Sequence, residues 1–476
     1  MAMQHKAQHA SAAFVLDKIL KYIDKAPDEN IIELLNYADR YFAKLFPVKY
    51  LEAIKNGAKD PDNIYRKLAL SIVSDVDRND LKTMVLALGL HGAYYGTKTV
   101  RQKRDELNCN IPWNILFDPT SACNKSCVGC WAAEYGHKLN LTLDQMRDIV
   151  RQGKQMGTHS YMLTGGEPLI RKDDVLTVCR ENPDCFFLIY TNATLIDDEL
   201  CRRVHECGNI TFALSIEGDE ESNDLRRGCG SFETTLAAMD TLRRNKCLFG
   251  ISVCYTRDNF EKVTSDEFID LMIEKGVKYA WYFNYMPVGN GAREELIPSP
   301  EQRRTMYAWL RRMRNQKTGK PLFVIDFQND AEYVGGCIAG GRNYLHINSA
   351  GDIEPCVFIH YSDANIKTHT LIQALQNPLF MAYRKNQPFN DNHLRPCPML
   401  ENPDYLRKII KQTGAHSSDY IQAEDVDTLC AKCDRYAAQW EPVAGQLWNS
   451  TKHPVTHTQY YRDTPEGRND KDIIRS

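Results

Sequence analysis

Asn114-Ile-Leu-Phe-Asp-Pro-Thr-Ser-Ala-Cys123-Asn-Lys-Ser-Cys127-Val-Gly-Cys130-Trp131 is the stretch on which the reading of this chain turns. Asn114–Phe117 reads as a short strand, and the loop that follows it directly carries three cysteines. Three thiols on one short loop, beside a glycine that lets the backbone turn tightly, is a ligand pattern rather than a core pattern.

C-terminal to this loop the chain repeats strand, loop and helix. Strands are expected at Tyr161–Thr164, Phe186–Tyr190, Ile210–Ile216, Phe249–Tyr255 and Tyr279–Tyr285. Helices are expected between them, as at Leu143–Met156, Glu199–His205, Phe232–Arg243 and Glu267–Glu274. Strands alternating with helices at this spacing imply a parallel sheet. The fold class is therefore α/β, a partial parallel (β/α)6 TIM-like barrel whose functional residues gather on the loops after the strands. A helix from about Glu301 to Arg314 and a strand at Leu322–Phe327 follow. Tyr344–Pro355 then reads as a β-hairpin turning at Ser349–Asp352.

N-terminal to it, residues from about 12 to 108 look helical. Phe14, Val15, Ile19, Leu20 and Ile23 recur at helical spacing, as do Ile31, Leu34, Leu35, Ala38, Tyr41 and Phe42. Met84–Leu90 is apolar almost all round. It suits a buried core helix, or a surface for a greasy substrate. Four segments are expected: 1–108, helical; 109–320, the barrel core; 321–450, a cysteine-rich extension; and 451–476, a loose polar tail.

The chain has 476 residues, a net charge of −3 and 43% hydrophobic residues. That charge gives no electrostatic case for nucleic-acid binding. No apolar run is long enough to span a bilayer, and the first residues lack a secretory pattern, so a cytoplasmic protein that is not transmembrane is expected. In that setting the 16 cysteines point to metal or redox chemistry rather than disulfides. Cys109, Cys179, Cys185, Cys201, Cys207, Cys229, Cys247 and Cys254 stand singly and read mostly as small buried side chains. Cys123, Cys127 and Cys130, then Cys337, Cys356, Cys397, Cys430 and Cys433, are clustered or loop-borne.

Three thiolates on one short loop can hold three irons of a [4Fe–4S] cube, which would leave the fourth open to a small chelating molecule. A structural zinc site is the alternative, although zinc prefers four ligands and no matching Cys pair lies near Cys127 and Cys130. CxxxCxxC followed by an aromatic, after the first strand of a parallel α/β array, resembles the radical S-adenosylmethionine (radical SAM) superfamily. The resemblance covers about residues 110–435. It implies that the open iron chelates S-adenosylmethionine and that one electron cleaves the cofactor to methionine and a 5′-deoxyadenosyl radical. That radical abstracts hydrogen from a substrate or adds to it. The resemblance also implies oxygen sensitivity and a low-potential electron donor such as flavodoxin or ferredoxin.

Other loops match the family's cofactor motifs. Gly165-Gly166-Glu167 resembles the GGE motif that binds the methionine ammonium. Thr191-Asn192-Ala193-Thr194 resembles a TNGT stretch, with Ala193 where Gly is common. Ser215 and Glu217, at the fourth strand's end, are expected on ribose or methionine. Arg227, in Asp224-Leu-Arg226-Arg227-Gly228, is expected on the methionine carboxylate, with a surface ion pair as the alternative. Gly289, after the sixth strand, is expected near adenine.

Cys337-x13-Gly351-x4-Cys356 resembles the start of the SPASM and twitch extensions, which hold auxiliary iron–sulfur clusters. The resemblance implies one auxiliary [4Fe–4S] cluster on Cys337, Cys356 and Cys397 plus Cys430 or Cys433, with a four-thiolate zinc site as the alternative. His360 is a candidate contact near the hairpin or an ordinary structural residue. The substrate is expected to be a lipid, an isoprenoid or another small apolar molecule. A peptide- or protein-modifying maturase is the alternative, and a non-catalytic electron carrier or zinc-binding protein is a further one.

Overall fold

In a computed structural model of the chain, residues 13–19, 21, 22, 25, 30 and 56–451 are described. The helical segments expected at 31–42 and the tail from Lys452 lie outside the described residues, and residues 13–19 are helical as expected.

Nine strands form one sheet: β1 (Asn114–Phe117), β2 (Ser160–Leu163), β3 (Phe186–Thr191), β4 (Ile210–Ser215), β5 (Phe249–Tyr255), β6 (Tyr279–Asn284), β7 (Phe323–Asp326), β8 (Tyr344–Ile347) and β9 (Ile353–Glu354). Their order is β7-β6-β5-β4-β3-β2-β1-β8-β9. All neighbours from β7 to β8 are parallel, and only β8–β9 is antiparallel. This is the partial barrel expected, enlarged. Instead of six parallel strands there are eight, because β7 extends one edge and β8 docks against β1 on the other. The division expected at 320/321 thus falls inside one continuous sheet. The hairpin is present, but its first strand belongs to the barrel.

Helices cover the outer face for the usual amphipathic reason. Leu143–Met156 starts at a capping box made by Thr142 and Gln145. It buries Met146, Ile149 and Val150, and the Tyr161 hydroxyl of β2 donates to the Val150 carbonyl at 3.0 Å. The Met84–Leu90 run lies at the junction of helix Arg78–Val85 and a π-helical stretch, Leu86–Gly96. Met84, Leu86 and Ala87 are buried there, whereas Val85 and Tyr94 are exposed. The apolar run is therefore only half a core helix. These N-terminal helices are clamped to the barrel by polar pairs: Asp80 to His205 at 2.7 Å and Asp75 to Lys278 at 2.5 Å. No helix among the described residues is long and apolar enough to cross a membrane.

Candidate functional site

The loops after β1, β2, β3 and β4 converge on one cavity of about 360 Å3. Cys123, Cys127 and Cys130 line it together with Gly165, Gly166, Thr191, Asn192, Ser215 and Arg227. Sequence reasoning named all nine. Glu167, Glu217 and Gly289 are placed elsewhere.

Glu167 points inward beneath its loop. Its carboxylate accepts from the Thr191 hydroxyl at 2.8 Å, the Asn192 amide at 2.7 Å and the Leu169 amide at 3.1 Å. Burial pushes its pKa up to about 7 against those three donors. It fastens the Asn192 turn rather than facing the cavity. Glu217 is fully buried and paired with both Arg226 and Arg227, while the Cys254 amide donates to its second oxygen at 3.1 Å. It holds two guanidinium groups at the cavity wall. Gly289 donates to Glu424 and accepts from Lys432, away from the cavity. Arg226, Lys125 and Cys254 line the cavity and were not singled out. The run Asp224-Leu-Arg226-Arg227 held the signal for Arg226, because both guanidinium groups converge on one buried carboxylate.

The cysteine loop is fixed from several sides. Gly129 has φ +65°, and a Cβ there would meet the Tyr285 ring at 2.6 Å. Gly166 lies so close to the Ser121–Ala122 backbone that a Cβ would meet the Ala122 carbonyl at 2.1 Å. The Asn192 side chain donates to Asn124 at 2.8 Å and lies 3.8 Å from the Cys123 sulfur. Trp131 packs edge-on against Tyr135, His346, Phe358 and His360. Behind it His346 is fully buried, with Asp118 at 3.0 Å on one ring nitrogen and Glu354 at 2.6 Å on the other. Those two carboxylates outweigh burial and hold its pKa up at about 10. The Tyr135 hydroxyl donates to Glu354 at 2.8 Å. This buried network ties the end of β1 to the β8–β9 hairpin. His360 has a structural place in it: it is paired with Asp419 at 2.7 Å and stacked on Tyr135 at 4.5 Å.

A second cavity of about 210 Å3 is lined by Cys337, Cys356 and Cys397. It shares Trp281, Met286, Phe327, Ile338, Asn343 and Phe358 with the first, so one largely apolar wall separates the two cysteine sets. Cys430 and Cys433 sit buried on helix Val426–Ser450 and do not line this cavity. Tyr383 does. Burial, then the neighbouring Cys337, Cys356, Cys397 and Cys430 side chains, hold its hydroxyl well above the usual phenol range. That hydroxyl has no hydrogen-bond partner among the described residues. No residue of 84–96 lines either cavity, so the apolar N-terminal run gives no support to a greasy substrate.

A tetrahedral zinc with sulfur at about 2.3 Å draws its thiolates to about 3.8 Å from one another. Among the described residues, the groups of three or more His, Cys, Asp or Glu with ligand atoms all within 4.8 Å are His91–His159–Asp184 and Asp77–Asp80–His205. Neither contains a cysteine. In neither cysteine set do all the thiols lie within 4.8 Å of one another. Both sets could hold an iron–sulfur cube, the first with three thiols on one loop.

Residues 117–273 match the family model of the radical SAM superfamily. The chain is 26% identical over 343 residues to an AdoMet-dependent heme synthase of Methanosarcina barkeri, covering 66% of this chain and 96% of that protein. It is 27% identical over 262 residues to a mycofactocin maturase of Mycolicibacterium smegmatis, covering 53% of this chain and 66% of that one. Streptococcus suis SuiB bound to S-adenosylmethionine has the same fold over 71% of this chain and 81% of its own, with a TM-score of 0.55 and 20% identity.

Proposed function

We propose, from the premise that this chain is an enzyme of the radical SAM superfamily, that Cys123, Cys127 and Cys130 hold its [4Fe–4S] cluster and that the aromatic half of the same cavity receives an apolar substrate. The observation that carries the reading is the convergence of three loop thiols and the glycine, asparagine and arginine loops on one cavity. A cluster held there would supply the electron for cleavage of S-adenosylmethionine to methionine and a 5′-deoxyadenosyl radical.

The chain's own residues bind and orient. The Gly165–Gly166 backbone and Thr191 offer polar atoms to the methionine end of the cofactor. Arg227, and Arg226 beside it, offer guanidinium donors to its carboxylate, both aimed by Glu217. Ser215, on the cavity wall, would meet the ribose. Leu116, Met162, Trp281, Phe283, Phe327 and Phe358 line the remainder of the cavity and exclude water from a radical. Cys337, Cys356 and Cys397, with Cys430 behind Tyr383, form the set for one auxiliary cluster.

The aromatic lining favours an apolar substrate over a charged one. Similarity to a heme synthase over nearly that protein's whole length supports a second reading, a tetrapyrrole, and similarity to a maturase supports a peptide. The test is anaerobic: reconstituted protein, dithionite and S-adenosylmethionine yield 5′-deoxyadenosine. A reconstituted, reduced sample that yields none removes the proposal.

A further inference from the structure

Among the described residues, two groups of ligand-type side chains join the N-terminal helices to the barrel, and neither lines a cavity described above. One is Asp77, Asp80 and His205, and the other is His91, His159 and Asp184. In each, one ligand atom from every residue lies within 4.8 Å of the others. The first group is complete as an ion pair. His205 has the Asp80 carboxylate 2.7 Å from Nδ1 and the Asn245 carbonyl 2.7 Å from Nε2. Both partners accept, so both ring nitrogens carry protons, and such a ring has no lone pair for a metal.

The second group is arranged differently. His159 stands in the turn between helix Leu143–Met156 and β2, and Asp184 in the turn before β3. The Phe186 amide donates to the His159 carbonyl at 2.8 Å and ties the two turns together. The Asp184 carbonyl lies 3.0 Å from His159 Nδ1. A carbonyl only accepts, so Nδ1 carries the proton and Nε2 keeps the lone pair. That is how backbone carbonyls orient metal-binding imidazoles. The Asp184 carboxylate is also held from outside: Lys154 pairs with Oδ1 at 2.8 Å, while Oδ2 lies 3.8 Å from His159 Nδ1.

His91 is brought in by backbone contact. It lies on the π-helical stretch Leu86–Gly96, a form of helix frequent at functional sites. This stretch ends against the turn that carries His159. A Cβ on Gly96 would meet the Gly157 carbonyl oxygen at 2.4 Å, and a Cβ on Gly157 would meet the Gly96 oxygen at 2.6 Å. Two glycines in mutual contact set His91 beside His159, with ring centroids 5.6 Å apart.

We infer that His91, His159 and Asp184 bind a zinc ion, with water as the fourth ligand, and that this ion staples the N-terminal helices to the floor of the barrel. Two imidazoles and a carboxylate are donors for zinc rather than for calcium or magnesium. The Cys185 sulfur is 3.9 Å from His159 Nδ1 and 3.9 Å from Asp184 Oδ1 but does not join the group, so the fourth place falls to solvent. The side chains of His159 and Asp184 are 13% and 26% exposed, which admits that solvent. The site lies at the N-terminal ends of β2 and β3, the end of the sheet opposite the cysteine loop. In parallel barrels that face serves stability, and chemistry gathers at the other.

The test uses full-length protein reconstituted with iron and sulfide, so that the cysteine sets are filled, then dialysed against zinc chloride and washed in zinc-free buffer. The expected result is roughly one retained zinc per chain, whose X-ray absorption spectrum shows nitrogen and oxygen at about 2.0 Å, imidazole scattering and no sulfur. His91→Ala and His159→Ala should each weaken zinc binding more than about tenfold and leave the iron content unchanged. His205→Gln should leave zinc binding as it was. Zinc should raise the thermal unfolding midpoint of the unmodified protein and not that of His91→Ala. The spectrum of the unmodified protein needs no variant to fold. No retained zinc, a sulfur neighbour at about 2.3 Å, or equal affinity in His91→Ala overturns the site. Zinc bound at this site without a rise in the midpoint overturns the staple.

Discussion

The two cysteine sets are built by opposite means. Cys123, Cys127 and Cys130 occupy one loop, all half-buried, and their spacing is written in consecutive residues. Cys337, Cys356 and Cys397 come from separate segments and meet around a cavity closed by Tyr383. Their nearest scaffold is a buried ion pair: Arg303, fully buried on helix Pro300–Met313, pairs with Glu401, whose other oxygen accepts from the Cys397 amide at 2.7 Å. The first site has its ligands on one loop that other loops brace, and the second is assembled from segments far apart in the chain. Damage to the first should therefore cost chemistry and spare the fold. Damage to the second should cost both.

The largest expected effect tests the first half of that contrast. Replacing Cys123, Cys127 and Cys130 together by Ala should bring 5′-deoxyadenosine formation to background while the thermal unfolding midpoint and the iron bound by the C-terminal set stay as they were. Loss of all iron would mean the two sites are not independent. Arg303→Met comes next. Leaving Glu401 charged and alone in the interior should cost about 3–5 kcal/mol in chemical denaturation. It should also lower iron content through a loosened Cys397 loop. Stability unchanged within about 1 kcal/mol would show that packing does not carry this site.

A smaller effect follows from Glu167, which lies under the first site. Its pKa rises from 4.5 in the unfolded chain to about 7 in the fold. The folded state therefore holds the extra proton between those values, and stability from this group falls as pH rises through that window. The gap between the native protein and Glu167→Gln should shift in favour of the variant by up to about 3 kcal/mol between pH 4.5 and 7 and stay level outside it. A pH-independent gap measured by denaturant titration would contradict the buried placement. The smallest effect concerns Ala193, held at φ +69°. Ala193→Gly should stabilise the fold by about 1 kcal/mol by relieving a left-handed residue. Destabilisation in the same measurement would show that its methyl group packs usefully.

Much of this was legible in the residues. Leu143–Met156 and Phe249–Tyr255 are found to the residue, because amphipathic spacing and flanking turn residues are local signals. The cysteine loop is local too, as is the Gly165–Gly166 turn. The addition of β8 beside β1 is not, because nothing in Tyr344–Ile347 says which edge will receive it. Orientation also escapes sequence. Ser215 and Glu217 are two residues apart, yet one faces the cavity and the other turns into Arg226 and Arg227, because β4 ends between them and the chain bends at Gly218, φ +105°. Residues that act by supporting others, such as His346 and Arg303, carry no motif at all.

The placement of β8 has a consequence for how the chain comes off the ribosome. β1 is synthesised early, but its second neighbour arrives more than two hundred residues later. Until then its free backbone groups form a sticky border on a nascent, half-built barrel. Final closure, and with it the buried His346 brace behind the cysteine loop, waits on the last third of translation. Cofactor insertion timed before that moment would meet an unsupported cradle.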